Sequence, residues 1–399
     1  MFSIQSTFAS NGFQSSLERK NMAFSYWEST EWLEGNDLIV IGGGIVGLSA
    51  ALQASVLKPH WKIAVIERDP FGGGGSTKNA GFACFGSLSE LAHDRSVLGD
   101  KEAAVLLRKR IDGLKLLRHS LGDSSIGYRD CGSLELIRKG AGYEMPSMET
   151  ISEVNAWAAE TTGSMHAFHI AEEKELAGIN SKMIEGAIAS PLEGAIDTGK
   201  MMQALRFKAQ KTGIRLLFGL NVTGWNQHTT NHQIEIERAG SLDVAERFAM
   251  KSPHVVIATN AFARELIPKC DVNPKENMVL VTEAIDHLNF DGTVHMDAGH
   301  LYARNIQNRM LIGGGRHWKL KNDTELEQKL KTLLNEAFPE TLMANIEYKW
   351  TGVLGIGSTR MPIVSKLYER SVAAVKMGGM GVAIGMQLGK ESIELLLSD

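Results

Sequence analysis

Residues 38–67, LIVIGGGIVGLSAALQASVLKPHWKIAVIE, spell out a dinucleotide-binding strand–helix–strand unit. Gly42, Gly44 and Gly47 follow directly on the apolar run Leu38–Ile41, a helix-forming run comes next, and a second apolar strand ends in Glu67. Each part has a physical task. Gly42 allows the tight turn, Gly44 lets a pyrophosphate approach the backbone, and Gly47 lets the helix pack on the strand. The helix N-terminus, with the amides of Ile45 and Val46, favours phosphate charge, and Glu67 is placed to accept hydrogen bonds from a ribose diol. A glycine triplet alone is weak evidence; flanked by both strands and followed by the acid, it specifies a dinucleotide.

The rest of the chain sets limits. Its 399 residues suffice for two domains, and an apolar fraction of 43% with 22% charged residues is ordinary for a globular protein. A net charge of −4 gives no reason to expect nucleic-acid binding, and no apolar run reaches the roughly 18 residues of a membrane span. Cys84, Cys131 and Cys270 lie far apart, without metal-ligand spacing or a disulfide framework, so a reducing, cytoplasmic setting is expected and no metal is. Residues 1–35 are rich in Ser, Asn and Gln and lack the features of a secretory signal. They read as a flexible extension, or as sequence ahead of a true start at Met22; Arg19 and Lys20 are few bases for a transit peptide.

Downstream, RDPFGGGGSTKNAGFACFGS is a loop whose glycine run cannot pack a core but can bring backbone amides to a ligand. Periodicity predicts helices over Asp100–Leu121, Met148–Thr161, Ala171–Leu176, Asp323–Phe338 and the C-terminal segment, and another N-capped by Thr198. Strands are expected at Gly132–Ile137, up to Val222, as a hairpin in 232–250, at His254–Ala258, several times in 277–315, and at SVAAVKMGG. This order implies an α/β fold: a Rossmann-like binding domain, a parallel sheet with helices, assembled from three pieces, plus an inserted β-rich substrate domain. The pieces are 36–125, 191–270 and 346–399 for the first, and 126–190 and 271–345 for the second.

Beyond the fingerprint, the chain resembles the FAD-dependent D-amino acid oxidase superfamily, which includes glycine and sarcosine oxidases. The resemblance runs from Asp37 to the C-terminus. Its flavin loop is matched by Gly74, Gly75, Ser76, Thr77, Asn79, Ala80 and Gly81, and Arg68 follows the ribose acid. The adenine-side strand is matched by Gly213–Val222, the adenosine-side turn by Ala258, Thr259 and Asn260 in VVIATNAF. The closing flavin-side turn and helix start are matched by MGGMGVAIG, with Gly378, Gly379, Met380, Gly381 and Val382, and Gly355 belongs to the flavin-facing WTGVLGIGSTRMP segment. A helix N-terminus there suits the negative charge of reduced flavin. SYWE at Ser25–Glu28, YARNIQNRMLIGGG and WTGVLGIGSTRMP place the nearest likeness with the γ-glutamylputrescine oxidase branch.

The resemblance implies an FAD-dependent oxidoreductase acting on CH–NH or CH–NH2 groups of a small amine or amino acid. A hydride equivalent passes to flavin N5 and the imine is hydrolysed, with O2 or another acceptor taking the electrons. The alternatives are a flavin dehydrogenase feeding a quinone or carrier, and a catalytically silent flavin-binding protein. Where relatives place a carboxylate-gripping Arg, this chain has Leu354; where sarcosine oxidases carry an oxygen-activating Lys, it has Leu311 or a neighbour. Asn79 stands where some relatives link a His to flavin, so noncovalent FAD is implied. No catalytic residue beyond the flavin is singled out.

Substrate contacts are expected from the β-rich block. Tyr302 and Arg304 alternate onto one face of a strand, Arg316 and His317 follow a glycine turn, and Arg360 sits in STRMP. Arginine suits a carboxylate clamp, although exposed arginines more often make ion pairs of little worth. Cys84 reads as a small buried hydrophobe.

Overall fold

A computed structural model describes residues 24–238 and 246–398. The expected N-terminal extension lies, up to Ala23, outside the described residues, as does the turn of the 232–250 hairpin.

The fingerprint strand, Leu38–Ile41, is central in a six-stranded sheet. Val40 is in register with Val65 of Ile63–Glu67 on one side and with Val256 of His254–Ile257 on the other, both parallel. Arg215–Phe218 and Ser371–Val375 extend the sheet in parallel, and Ile363–Tyr368 closes one edge antiparallel. The fingerprint strand is apolar at every position because both faces are covered, as a parallel sheet requires. Leu38 and Val40 point into one core with the helices Ile45–Leu57, Asp100–Leu121 and Gly381–Leu397. Ile39 and Ile41 point into another, against an antiparallel three-stranded sheet of Asn221–Gln227, His232–Arg238 and Glu246–Ser252.

The second large sheet has eight strands, antiparallel except where Thr293–Met296 runs parallel to Ser133–Arg138. Met278, Leu280 and Ile312 on one face pack on Leu330, Leu334 and Phe338 of the amphipathic helix Asp323–Ala337 and its end. Val279, Val281 and Leu311 lie on the opposite face, where Ala80 of the glycine loop meets them. Leu311 therefore belongs to an apolar cluster. The fold class read from the sequence is the one observed.

Three local expectations shift. Strand Ile346–Ile356 pairs with Asn273–Thr282, so a boundary at 346 cuts ahead of a strand of the eight-stranded sheet rather than one of the six-stranded. The helix Thr198–Lys211 is capped by Asp197, whose carboxylate accepts from the Lys200 amide at 3.0 Å. Thr198 instead sends its hydroxyl to Asn79 Oδ1 at 2.8 Å, tying the helix to the glycine loop. Residues Glu173–Leu176 form a 3-10 turn rather than an α-helix.

Candidate functional site

Two cavities, of about 340 and 390 Å3, meet where the glycine loop, Leu354 and the turn before the last helix converge; Lys78, Asn79, Leu354 and Met377 line both. The first runs along the C-terminal ends of the parallel strands. It is lined by Gly42, Gly44, Ile45, Val46, Glu67, Arg68, Gly75, Ser76 and Asn79, then by Val222, Ala258, Thr259, Asn260, Gly378, Gly379, Gly381 and Val382.

The cradle fits a dinucleotide. Helix Ile45–Leu57 has no acid in its first turn to oppose a phosphate. Ser76 Oγ, at the end of the glycine loop, accepts from the Ile45 amide at 3.0 Å, and a Cβ on Gly44 would meet that hydroxyl at 2.7 Å. The smallness of Gly44 thus admits the serine as well as a ligand. Glu67 holds the turn from both sides, accepting from Gly43 N at 2.8 Å and Asp69 N at 3.0 Å, and keeps lone pairs for a diol. Arg68 lies over Phe262, 3.8 Å from the ring centroid, at the other end. Asn260 adopts a positive φ of 43° and accepts from Met377 N at 3.2 Å, joining the strand end to the closing turn. The last helix begins at Gly381 with no side-chain cap and no acid in its first turn, so its positive end is free to face an electron-rich ring.

Gly47, read as a packing residue, and five positions that the resemblance assigns to the cofactor lie outside the lining of the first cavity. Gly47 is inside the first helix, against Gly42 O. Thr77 turns its hydroxyl to Gly72 O at 2.8 Å, and Gly81 sits beneath Arg304. Gly355 accepts from Gly378 N at 3.1 Å, bracing the closing turn, while Ala80 and Met380 line the second cavity.

The second cavity is walled by the eight-stranded sheet, helix Leu88–Leu98 and the turn before the last helix. Of the five expected substrate contacts, Tyr302, Arg316 and Arg360 line it. Burial pushes the Tyr302 hydroxyl up to about 12, and Asn277 Nδ2 donates to it at 3.2 Å. Arg304 shares Tyr302's strand face, but the glycine loop folds onto it. Its guanidinium donates to the carbonyls of Gly81, of Ala80 at 3.2 Å and of Ile196 at 2.9 Å, and burial pulls it down to about 10. His317 also stands apart: it stacks on His300 with centroids 4.8 Å apart and points Nε2 at Asp297, 3.5 Å away.

Arg304 is therefore a strut. Arg304→Met is expected to destabilise the protein by about 3 kcal/mol, since it strands buried carbonyls, while leaving KM within about twofold of wild type; melting curves beside steady-state kinetics check this. A raised KM with unchanged melting would return Arg304 to the substrate.

The sequence reading missed Glu90, Asp94, Arg110, His295 and His300. Asp94 and Arg110 pair at 2.9 Å, each about 3% exposed, and Arg360 reaches Asp94 at 3.3 Å and Glu90 at 3.7 Å. Burial favours the acid form of Glu90, but His295, Arg360 and Arg110 outweigh it and hold its carboxyl below the usual range. A signal existed for Glu90: SLSE at 87–90 is a capping box, and Ser87 and Glu90 make both of its bonds. Arg360 is thus neutralised twice over. Among the described residues Arg316 makes no ion pair, and burial pulls its guanidinium below its ordinary value.

His300 reaches the cavity from a tight turn in which Asp297 and Ala298 both have positive φ. Burial, then Arg316, His317 and Arg360, hold its pKa down to about 4 against the pull of Glu90. Between the ordinary 6.5 and about 4 the unfolded chain binds a proton that the folded chain refuses, so stability falls as pH drops through that window. His300→Asn is expected to flatten that part of the stability–pH curve in denaturant titrations, and an unchanged slope would remove the assignment.

Residues 37–395 match the family described as FAD dependent oxidoreductase, DAO, and the chain belongs to it. It is 23% identical over 384 residues to the gamma-glutamylputrescine oxidoreductase of Escherichia coli K12, covering 91% of this chain and 84% of that one. It is also 23% identical over 235 residues to the bifunctional protein ThiO/ThiG of Synechocystis, of which it spans 31%. L-proline dehydrogenase from P. horikoshii shares the fold with a TM-score of 0.71 at 18% identity, over 92% of this chain and 94% of that one. Glycine oxidase from Geobacillus kaustophilus does so with 0.70 at 18%, over 90% and 94%. The protein is an FAD-dependent oxidoreductase of this family. Among the described residues no helix is long and apolar enough to cross a membrane.

Proposed function

We propose that the chain oxidises the C–N bond of a small amine that carries a carboxylate, with FAD held noncovalently in the first cavity. The observation that carries this reading is Arg316, a guanidinium with no ion-pair partner among the described residues, in the cavity that continues the cofactor cleft. A half-buried cation left unpaired is costly, and a bound anion offsets that cost. Arg316 takes over the grip that Leu354 cannot provide, while Arg360, already matched by Glu90 and Asp94, shapes the wall.

Bound FAD supplies the acceptor for a hydride equivalent from the carbon bearing nitrogen. The chain's own part is orientation and exclusion of water: Arg316 fixes the carboxylate, Leu354 and Met377 form the apolar join between cavities, and Tyr302 closes the sheet side. No strong base is needed when the amine arrives neutral, and His300, its pKa near 4, stays uncharged at neutral pH and adds no repulsion. Among the described residues, those lining the first cavity include no His, Cys or Tyr for a covalent flavin link, which supports the noncovalent state. The same reading takes the protein as a cytoplasmic enzyme.

The test is anaerobic bleaching of the purified yellow protein by matched pairs of substrates: amino acids, N-alkyl amino acids and the corresponding decarboxylated amines. Bleaching by the carboxylated member of a pair and not by its amine supports the reading; preference for the plain amines overturns it. Peroxide yield against dye reduction then assigns the electron acceptor, since Lys78 is the only lysine among the described residues lining either cavity and Leu311 lies in an apolar cluster.

A further inference from the structure

On the wall of the second cavity, three side chains distant in sequence meet. Cys84 comes from the end of the glycine loop, Glu193 from the turn after Ile184–Ser190, and His295 from Thr293–Met296. One donor atom from each lies within 4.8 Å of the other two, and all three residues are buried. We propose that Cys84, Glu193 and His295 form a binding site for a divalent cation of the zinc type, opening into the substrate cavity.

The donor set is one the chemistry recognises. A thiolate, an imidazole and a carboxylate suit zinc, and three protein ligands leave a fourth position for water or substrate. Two further observations point to a ligand. His295 is about 7% exposed, and its Nε2 is buried without a hydrogen-bond partner, aimed at Glu193 Oε2 3.8 Å away. An unsatisfied buried ring nitrogen in a native fold calls for a partner. Glu193 is fully buried yet fixed: its Oε1 accepts from Phe85 N at 2.6 Å and Gly86 N at 2.9 Å, and its Oε2, also bonded by Ser133, faces the imidazole.

Behind His295, a second carboxylate stands on the other side of the ring, Glu90 Oε2 lying 4.0 Å from Nδ1. Cys84 and His295 both line the cavity, so an ion has a route in and an open coordination position. Donors on a tetrahedral zinc stand about 3.3–3.8 Å apart, so the three side chains need close by only about 1 Å.

The experiment uses the FAD-loaded protein, stripped of metal with a chelator and titrated with Zn2+ by equilibrium dialysis and with Cd2+ by difference absorbance. One equivalent of Zn2+ is expected, and Cd2+ should raise a thiolate charge-transfer band. Both should persist when Cys131 and Cys270 are replaced by serine. Cys84→Ser should abolish the band, and His295→Gln should weaken Zn2+ binding at least tenfold. No band in the unaltered protein overturns the proposal, as does a band that survives Cys84→Ser. Because the first readout needs no substitution at the site, a misfolded variant cannot hide the answer.

Discussion

Gly47→Ala is expected to yield protein that retains no FAD through gel filtration and has lost more than about 3 kcal/mol of stability. A methyl group at this position would lie 1.9 Å from Gly42 O, 3.1 Å from Gly42 C and 3.2 Å from Val40 Cγ1. The obstacle is backbone, and it cannot step aside. Gly42 has a φ of 111° and donates its amide to Ile66 O at 2.8 Å, while a Cβ of its own would stand 2.6 Å from Ala258 O. Strand and helix must therefore separate, and overpacking of this kind commonly costs 1–3 kcal/mol even where side chains can yield. The movement displaces the helix N-terminus that binds phosphate. Two sister substitutions give the scale. Gly44→Ala meets only the Ser76 hydroxyl, which can rotate at the loss of its bond to Ile45 N, worth about 1 kcal/mol; FAD affinity should fall several-fold. Gly74→Ala meets no protein atom within 4 Å and should melt as wild type. Flavin absorbance per protein and thermal melting rank the three, and a Gly47→Ala protein as yellow as Gly74→Ala would falsify the packing argument.

The parts of the fold legible in the sequence are those fixed by local pattern. The helix Asp100–Leu121 begins and ends where its periodicity does, and the closing helix follows the glycine turn at Gly378–Gly381 as read. Both have an apolar stripe long enough to outvote alternatives. Shorter signals misled where two residues compete for one role. Asp197 and Thr198 can each cap the same helix, and what selects Asp197 is a remote Asn79 that takes the threonine hydroxyl. The glycine loop and phosphate turn were readable because backbone conformation and close approach restrict residue type. The substrate side was not, because nothing local distinguishes Tyr302, which faces a cavity, from Arg304 two residues on, which holds up the Gly81 loop. Glu90, Glu193 and His295 come from three separate elements, and only the closed fold brings their carboxylates and imidazole together.

The second large effect belongs to Arg316. Arg316→Met is expected to lower kcat/KM for a carboxylated substrate by about 100- to 1,000-fold. Removing one member of a desolvated charge pair costs 2–5 kcal/mol, and each 1.4 kcal/mol is tenfold. Methionine keeps the length and apolar stem, so the loss reads the charge and not a cavity. Arg316→Lys should recover part of it, because an ammonium restores the charge without the planar fork. Arg360→Met is the contrast. Arg360 lies 3.3 Å from Asp94 and 3.7 Å from Glu90, so its charge is already matched and its removal leaves two acids less neutralised in the wall. That change should cost stability and only about tenfold in kcat/KM. A decarboxylated amine separates the roles: it has nothing for Arg316 to hold, so its kcat/KM should be nearly the same in wild type and Arg316→Met. If KM rises while kcat stays, the guanidinium binds the substrate before and during reaction alike; if both fall, the anchor also sets the distance from carbon to flavin. Equal losses for the amino acid and its amine would show that Arg316 shapes the cavity without gripping an anion, and the carboxylated substrate class would fall with it.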